Sequence, residues 1–236
     1  MAMQRLVQQA LVGSIALLGL AMFSFWPTYI GKPFAPIDGY THLHAVLGLL
    51  WLLVLVSQPL WLRLQRREVH RAVGRLAWAI GLAFIVSGLL LAHFRFSRMD
   101  AATFQSEAHW MFLPFYANLA FAACLALGFA FRHQPAVHGR FMLCTGALLI
   151  DPAMARLLGT RFPPLPWEPL YQLIGFGLTD AVMLVVLFAA PLPATARRAA
   201  IGLVALVLAL NLGWFFFAQT AGWRAIAQAF RSLPLT

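Results

Sequence analysis

The stretch THLHAVLGLLWLLVLVSQPLWL, residues 41–62, decides the fold class. It contains no aspartate, glutamate, lysine or arginine. An α-helix that crosses a bilayer needs about 20 mostly apolar residues, and this run is long enough. The segment that follows, RLQRREVHR at residues 63–71, is dense in arginine. An apolar run that ends in a basic turn predicts a membrane-spanning helix whose end faces anionic lipid.

The composition of the whole chain agrees with this local pattern. Of 236 residues, 62% are hydrophobic and only 10% are charged, whereas about 25% is usual for soluble domains. So few charges exclude a soluble globular enzyme, a disordered chain and a disulfide scaffold. The net charge of +10 comes from short basic clusters between apolar runs, which indicates a lipid bilayer as partner and no nucleic acid.

Seven apolar stretches predict an all-α polytopic membrane protein with seven transmembrane helices, forming a single integral membrane domain over residues 1–236. The stretches cover residues 6–26, 41–62, 72–94, 110–131, 137–158, 170–190 and 198–219. The second to fifth, residues 41–158, are expected to form a four-helix core. The tail, residues 219–236, is expected to form an amphipathic interfacial helix with Trp223, Ile226 and Phe230 on one face.

The basic residues predict the orientation. The densest cluster surrounds the turn between the second and third spans, and further basic residues lie at the fourth-to-fifth turn and before the seventh span. These residues are Arg63, Arg66, Arg67, Arg71, Arg75, Arg132, Arg140, Arg197 and Arg198. The positive-inside rule therefore places the amino terminus in the cytoplasm and the carboxyl terminus outside, in a bacterial inner membrane.

Four histidines occur where four consecutive spans begin. His44 and His109 begin the second and fourth spans, and His70 and His138 begin the third and fifth. Since successive helices start on opposite faces of the membrane, the outer face would hold one histidine pair and the inner face another. A helix amino terminus disfavours a charged imidazole, and so favours the neutral ring that binds a metal.

Small and basic neighbours favour a planar ligand at these histidines. Gly48 and Gly74 follow His44 and His70 by four residues, so each glycine lies on the same helix face as its histidine. A glycine there would leave a flat patch for a macrocycle held by the histidine. Haem propionates near the inner pair would be neutralised by arginines, namely Arg71, Arg75 and Arg140.

This placement resembles the transmembrane dihaem b-type cytochromes of the ferric-reductase type. The resemblance implies haem b held by His44 with His109 and by His70 with His138, electron transport across the membrane as an oxidoreductase, and a redox partner. The strings HRAVGR (70–75), VHGRFML (137–143) and ARLLG (155–159) are also similar to an uncharacterised family of predicted bacterial multi-pass membrane proteins. That second likeness implies no activity.

Two other functions stay open at this point. A zinc or copper site at the outer face would use His42, His44, His93 and His109, with a hydrolytic or metal-handling role. Alternatively, the chain is a non-catalytic subunit or assembly factor of a larger membrane complex, which its small size and lack of a soluble domain would suit.

Two carboxylates within the predicted spans need an explanation, because a bare carboxylate in a bilayer is costly. Asp151 has Arg156 five residues further on as a candidate partner. For Asp180 we expect a hydrogen bond to a group on another helix, and a proton path is the alternative for both carboxylates.

Overall fold

The computed structural model describes residues 2–32, 36–162 and 169–236, and all regular structure in these ranges is helical. The described residues form ten α-helices, with one π-helical turn at Trp26–Ile30 and one 3-10 turn at Ala108–Met111. The helices are α1 (Ala2–Phe25), α2 (Gly39–Arg63), α3 (Arg67–Ser97), α4 (Ala101–Glu107), α5 (Phe112–Ala130), α6 (Pro135–Ala147), α7 (Ile150–Arg161), α8 (Leu170–Phe188), α9 (Ala194–Phe216) and α10 (Ala221–Arg231).

Seven helical segments are long and apolar enough to cross a membrane, which confirms the prediction of a multi-pass all-helical protein. The fourth segment joins α4, the 3-10 turn and α5, and the fifth joins α6 and α7. The fifth is interrupted around Leu148 and Leu149, just before Pro152. Proline lacks a backbone N–H, so the helix loses a hydrogen bond at this point.

The helices pack as one bundle in which the second to fifth spans are not set apart from the others. Helix α2 packs against α3 and also against α1, while α5 contacts α3, α6 and α9. Helix α7 contacts α8 and α1. The buried interior includes Trp51, whose indole Nε1 donates a hydrogen bond to Thr145 Oγ1 at 3.1 Å and so ties α2 to α6.

Two aspartates cap helices at one end of the bundle. Asp38 accepts a hydrogen bond from the backbone N–H of Thr41 at 2.8 Å, and Asp100 accepts one from Thr103 at 2.9 Å. Each carboxylate satisfies a backbone donor that the first helical turn leaves free. We call this end, where α2, α4 and α8 begin and α3, α7 and α9 finish, the His44 end. The opposite end, where α3, α6 and α9 begin, is called the His70 end.

A tail helix, α10, docks on the bundle at the His44 end. Trp223 is buried, and its Nε1 donates a hydrogen bond to the carbonyl of Ala108 at 2.9 Å. The rings of Trp223 and Phe230 both contact Phe115, whereas Ile226 is 48% exposed. The predicted apolar face of Trp223, Ile226 and Phe230 is therefore only partly correct, because the buried residues of α10 are Trp223 and Ala227 and not Ile226.

Candidate functional site

The two histidines at the His70 end each donate a hydrogen bond to a backbone carbonyl. His70, in the first turn of α3, donates from Nδ1 to the Gln58 carbonyl of α2, at 3.4 Å. His138, in the first turn of α6, donates from Nδ1 to the Gly128 carbonyl of α5, at 2.7 Å. Gly128 lies in the last turn of its helix, where carbonyls have no partner within the helix, so the imidazole satisfies a free acceptor.

The structure places both histidines of the predicted inner pair at the His70 end of the bundle, on α3 and α6. In the described residues, the hydrogen bonds of both rings are made by Nδ1 and none by Nε2. A carbonyl can only accept, so each ring carries its proton on Nδ1 and has its Nε2 lone pair free.

His44 faces α3 rather than the helix that carries His109. Its Nδ1 lies 3.0 Å from the hydroxyl of Ser87, and that hydroxyl donates its own proton to the carbonyl of Phe84 at 2.9 Å. The Nδ1 atom is therefore the donor, as in the inner pair. The ring stacks on Phe84 with centroids 4.7 Å apart.

Gly48 does not present an open patch, contrary to the expectation from the sequence. A Cβ atom at this position would lie 3.2 Å from the ring of Phe84. The missing side chain makes room for that phenylalanine and lets α2 and α3 approach. Gly74 differs, because a Cβ there would meet only Gln58 Oε1, at an ordinary contact distance of 3.7 Å.

His109 lies in the 3-10 turn and donates from Nδ1 to the carbonyl of Ser106 at 3.0 Å. It lines a cleft of about 810 Å³ together with residues of α8 and α9. The helix register separates it from His44. Ser87 contacts His44, and the adjacent Gly88 packs on Asn118 of α5. His109 precedes Asn118 by nine residues, or about 13 Å at the helical rise. The structure does not bring His44 and His109 to one level.

The remaining two histidines of the predicted outer metal site are engaged elsewhere. His42 bonds to the hydroxyl of Tyr29 at 2.8 Å. His93 is buried, and both of its ring nitrogens bond to the carboxyl-terminal tail, Nδ1 to Thr236 Oγ1 and Nε2 to the Leu233 carbonyl, each at 2.7 Å. Within the described ranges, no three side chains among His, Cys, Asp and Glu lie close enough to hold a metal ion. The structure thus gives the zinc or copper alternative no support.

The three arginines expected beside haem propionates differ in environment. Arg71 and Arg75 are exposed at the His70 end. Arg140 is buried, and its guanidinium donates to the carbonyls of Leu187 and Ala190 at 3.1 and 2.7 Å. Those carbonyls lie at the end of α8, where the helix dipole is negative, so Arg140 caps α8.

The intramembrane carboxylates have different partners. Asp180 accepts a hydrogen bond from Asn211 Nδ2 at 2.8 Å, which is the interhelical contact expected from the sequence. Asp151 is not paired with Arg156, because that guanidinium lies over the ring of Phe25 and the Asp151 Oδ1 atom is buried with no partner in the described residues. No sequence pattern signalled the other buried polar groups, such as Tyr116.

Comparison with protein-family models, with curated proteins and with solved structures finds no match to this chain. The resemblances inferred from the histidine placement and from the short strings therefore stay predictions. The function has to be argued from the arrangement of side chains at the two ends of the bundle.

Proposed function

We propose that the protein is a membrane redox protein that binds a b-type haem between His70 and His138. The observation that carries this proposal is the shared state of the two rings. Each Nδ1–H is donated to a backbone carbonyl, from Gln58 or Gly128, and within the described part of the chain neither Nε2 makes a hydrogen bond.

This state is what an axial ligand needs. Haem iron is bound by the lone pair of a neutral imidazole, and the hydrogen bond made by the other ring nitrogen fixes the tautomer and the ring orientation. His93, whose two nitrogens are both hydrogen-bonded, shows the contrasting state of a structural histidine. When bound, haem supplies reversible one-electron chemistry.

Polar groups near His70 fit the acidic edge of a haem. Gln58 Nε2 and Trp61 Nε1 are buried donors with no hydrogen-bond partner in the described residues. They are three residues apart on α2, so they lie on the same face of the helix that carries the acceptor of His70. A propionate supplies the acceptor that such donors lack, and Arg71 and Arg75 add positive charge at the same end.

The His44 end fits a second haem poorly. The ring of Phe84 covers His44 and fills the space over Gly48, and His109 lies at another level of the bundle. The proposed haem site is therefore confined to the His70 end of the bundle. In the proposed orientation this arginine-rich end faces the cytoplasm, where its exposed arginines would receive a redox partner for the haem that His70 and His138 would hold.

The absorption spectrum of the purified protein tests this proposal. Cells supplied with iron and a haem precursor should yield a detergent-solubilised protein with a Soret band and with α and β bands that sharpen on reduction by dithionite. Conversion to the pyridine haemochrome should give one haem b per chain. The His70→Ala variant should lose it, while His42→Ala should keep it. A folded protein that stays colourless under these conditions would overturn the proposal.

A further inference from the structure

One buried face of α8 carries polar atoms without partners. Gln172, Gly175 and Thr179 follow one another at spacings of three and four, which places them on the same side of the helix. Gln172 and Thr179 are 3% and 0% exposed. In the described residues, neither the Gln172 Oε1 atom nor the Thr179 hydroxyl has a hydrogen-bond partner. This face of α8 is therefore deeply buried, and it carries polar atoms that have no hydrogen-bond partner among the described residues.

Two other helices bring unpartnered groups next to α8. The carboxylate of Asp151, on α7, rests directly on Gly175, where a Cβ atom would lie 2.2 Å from Oδ1. Tyr116, on α5, contacts the ring of the adjacent Phe176 at 5.1 Å. Both side chains are more than nine-tenths buried, and the Asp151 Oδ1 and Tyr116 hydroxyl atoms find no partner in the ranges described. We call the four residues Tyr116, Asp151, Gln172 and Thr179 the polar seam.

The polar seam continues toward the His44 end through α9. Asn211, which donates to Asp180, keeps its Oδ1 atom without a partner in the described chain, and so does Trp214 Nε1. Trp214 contacts Phe176 and also lines the cleft that contains His109. The ring of Phe176 therefore contacts both Trp214, at the cleft, and Tyr116 of the polar seam.

The mixture of donors and acceptors identifies what fills the polar seam. Trp214 can only donate, the Gln172 and Asn211 oxygens can only accept, and hydroxyls do both. Buried polar groups left unpaired are costly, and ordered water is the usual partner because it both donates and accepts. A bound metal cation would satisfy the oxygens but would leave the indole N–H without an acceptor.

We propose that the polar seam is a water-filled proton-binding site, in which the Asp151 carboxylate takes up a proton that reaches it from the His44 end through the cleft. A hydronium ion in the cleft donates the proton and becomes water; the proton passes along the hydroxyls of Tyr116 and Thr179 and the bound waters, and forms the O–H bond of a neutral carboxyl group. Release reverses these steps. An unpaired carboxylate in the bilayer interior favours this exchange. The proposal does not depend on haem.

The groups that face Asp151 are few. Asp180 on α8 and Tyr116 on α5 act on it electrostatically. Helix α1, which also packs against α7, has Arg5 as its only ionisable side chain, near the opposite end of the bundle. On α7 itself, Arg156 lies over Phe25, and Arg161 lies over Phe23. No described cation is bonded to the carboxylate, so a proton is the charge that neutralises it.

The experiment is infrared spectroscopy of the protein in phosphatidylcholine–phosphatidylglycerol liposomes, titrated with pH. The wild type should show the C=O stretch of a protonated carboxyl that appears on acidification and shifts in heavy water. The Asp151→Asn variant should lose this band and bind one proton fewer per chain in a pH-jump measurement. The control Asp100→Asn removes an exposed carboxylate at the His44 end and should retain the band.

A second variant keeps the test valid if Asp151→Asn fails to fold. Tyr116→Phe retains the ring and its contact with Phe176 but removes the relay hydroxyl. It should keep the carboxyl band and slow its exchange in heavy water at least tenfold. A band that never responds to pH, exchange that is unchanged in Tyr116→Phe, or a band that responds to sodium and accompanies bound radioactive sodium would each overturn the proposal.

Discussion

The cap that Arg140 forms on α8 can be tested by replacing it with methionine. The variant loses two hydrogen bonds from a charged donor to the carbonyls of Leu187 and Ala190. Hydrogen bonds from charged groups contribute about 1.5–3 kcal/mol each. Removing the buried guanidinium also removes its desolvation cost, so the net loss in the free energy of unfolding is about 2–4 kcal/mol. Lysine at this position keeps the charge but lacks the planar fork, and should fall between methionine and the wild type.

The assay is reversible unfolding in mixed micelles, followed by circular dichroism as the denaturing detergent is increased. Arg198→Met is the matched control, because Arg198 is exposed at the same end of the bundle. The control should unfold with the wild type, and Arg140→Met should unfold earlier without loss of any bound pigment. An Arg140→Met protein as stable as the control, or one that is specifically depleted of haem, would refute the role as a helix cap.

Two further perturbations test local packing and capping. Gly175→Ala should destabilise the bundle, because its Cβ would collide with Asp151 Oδ1, while Gly177→Ala should not, since nothing lies within 4 Å of a Cβ there; equal unfolding midpoints would contradict the packing. The hydroxyl and backbone N–H of Thr103 hold the pKa of Asp100 below its ordinary value. The ionised carboxylate of Asp100 should therefore stabilise the fold at neutral pH, and this stabilisation should be lost as the pH falls through the lowered pKa. When unfolding is measured across the acid range, the free energy of unfolding of Asp100→Ala should depend less on pH than that of the wild type.

The membrane spans were predictable from the sequence because they depend on local composition. Runs such as residues 41–62 are apolar over the length of a bilayer, and no tertiary detail alters that. The inner histidines were also placed correctly at the first turns of α3 and α6. The position of His109 within its helix was predicted wrongly. Hydropathy alone starts the fourth segment near Trp110, whereas the structure starts it at Ala101, directly after the Asp100 cap.

The pairing of histidines depends on register, which the sequence does not show. Contacts such as that of Gly88 with Asn118 set how far α5 slides along α3, and this leaves His109 far along the axis from His44. The residues of the polar seam other than Asp151 were missed for a similar reason. Gln172 and Thr179 are ordinary residues in a spanning helix, and they become notable only when their atoms are found buried without partners in the described chain.

The proposed site requires that His70 and His138 both hold the same haem. Electron paramagnetic resonance of the oxidised, detergent-solubilised protein tests it directly. We expect the low-spin ferric signal of two imidazole ligands in the wild type and in His133→Ala, whose exposed histidine lies five residues from His138. His138→Ala should convert that signal to high-spin or abolish it. A low-spin signal that survives unchanged in His138→Ala would contradict the account.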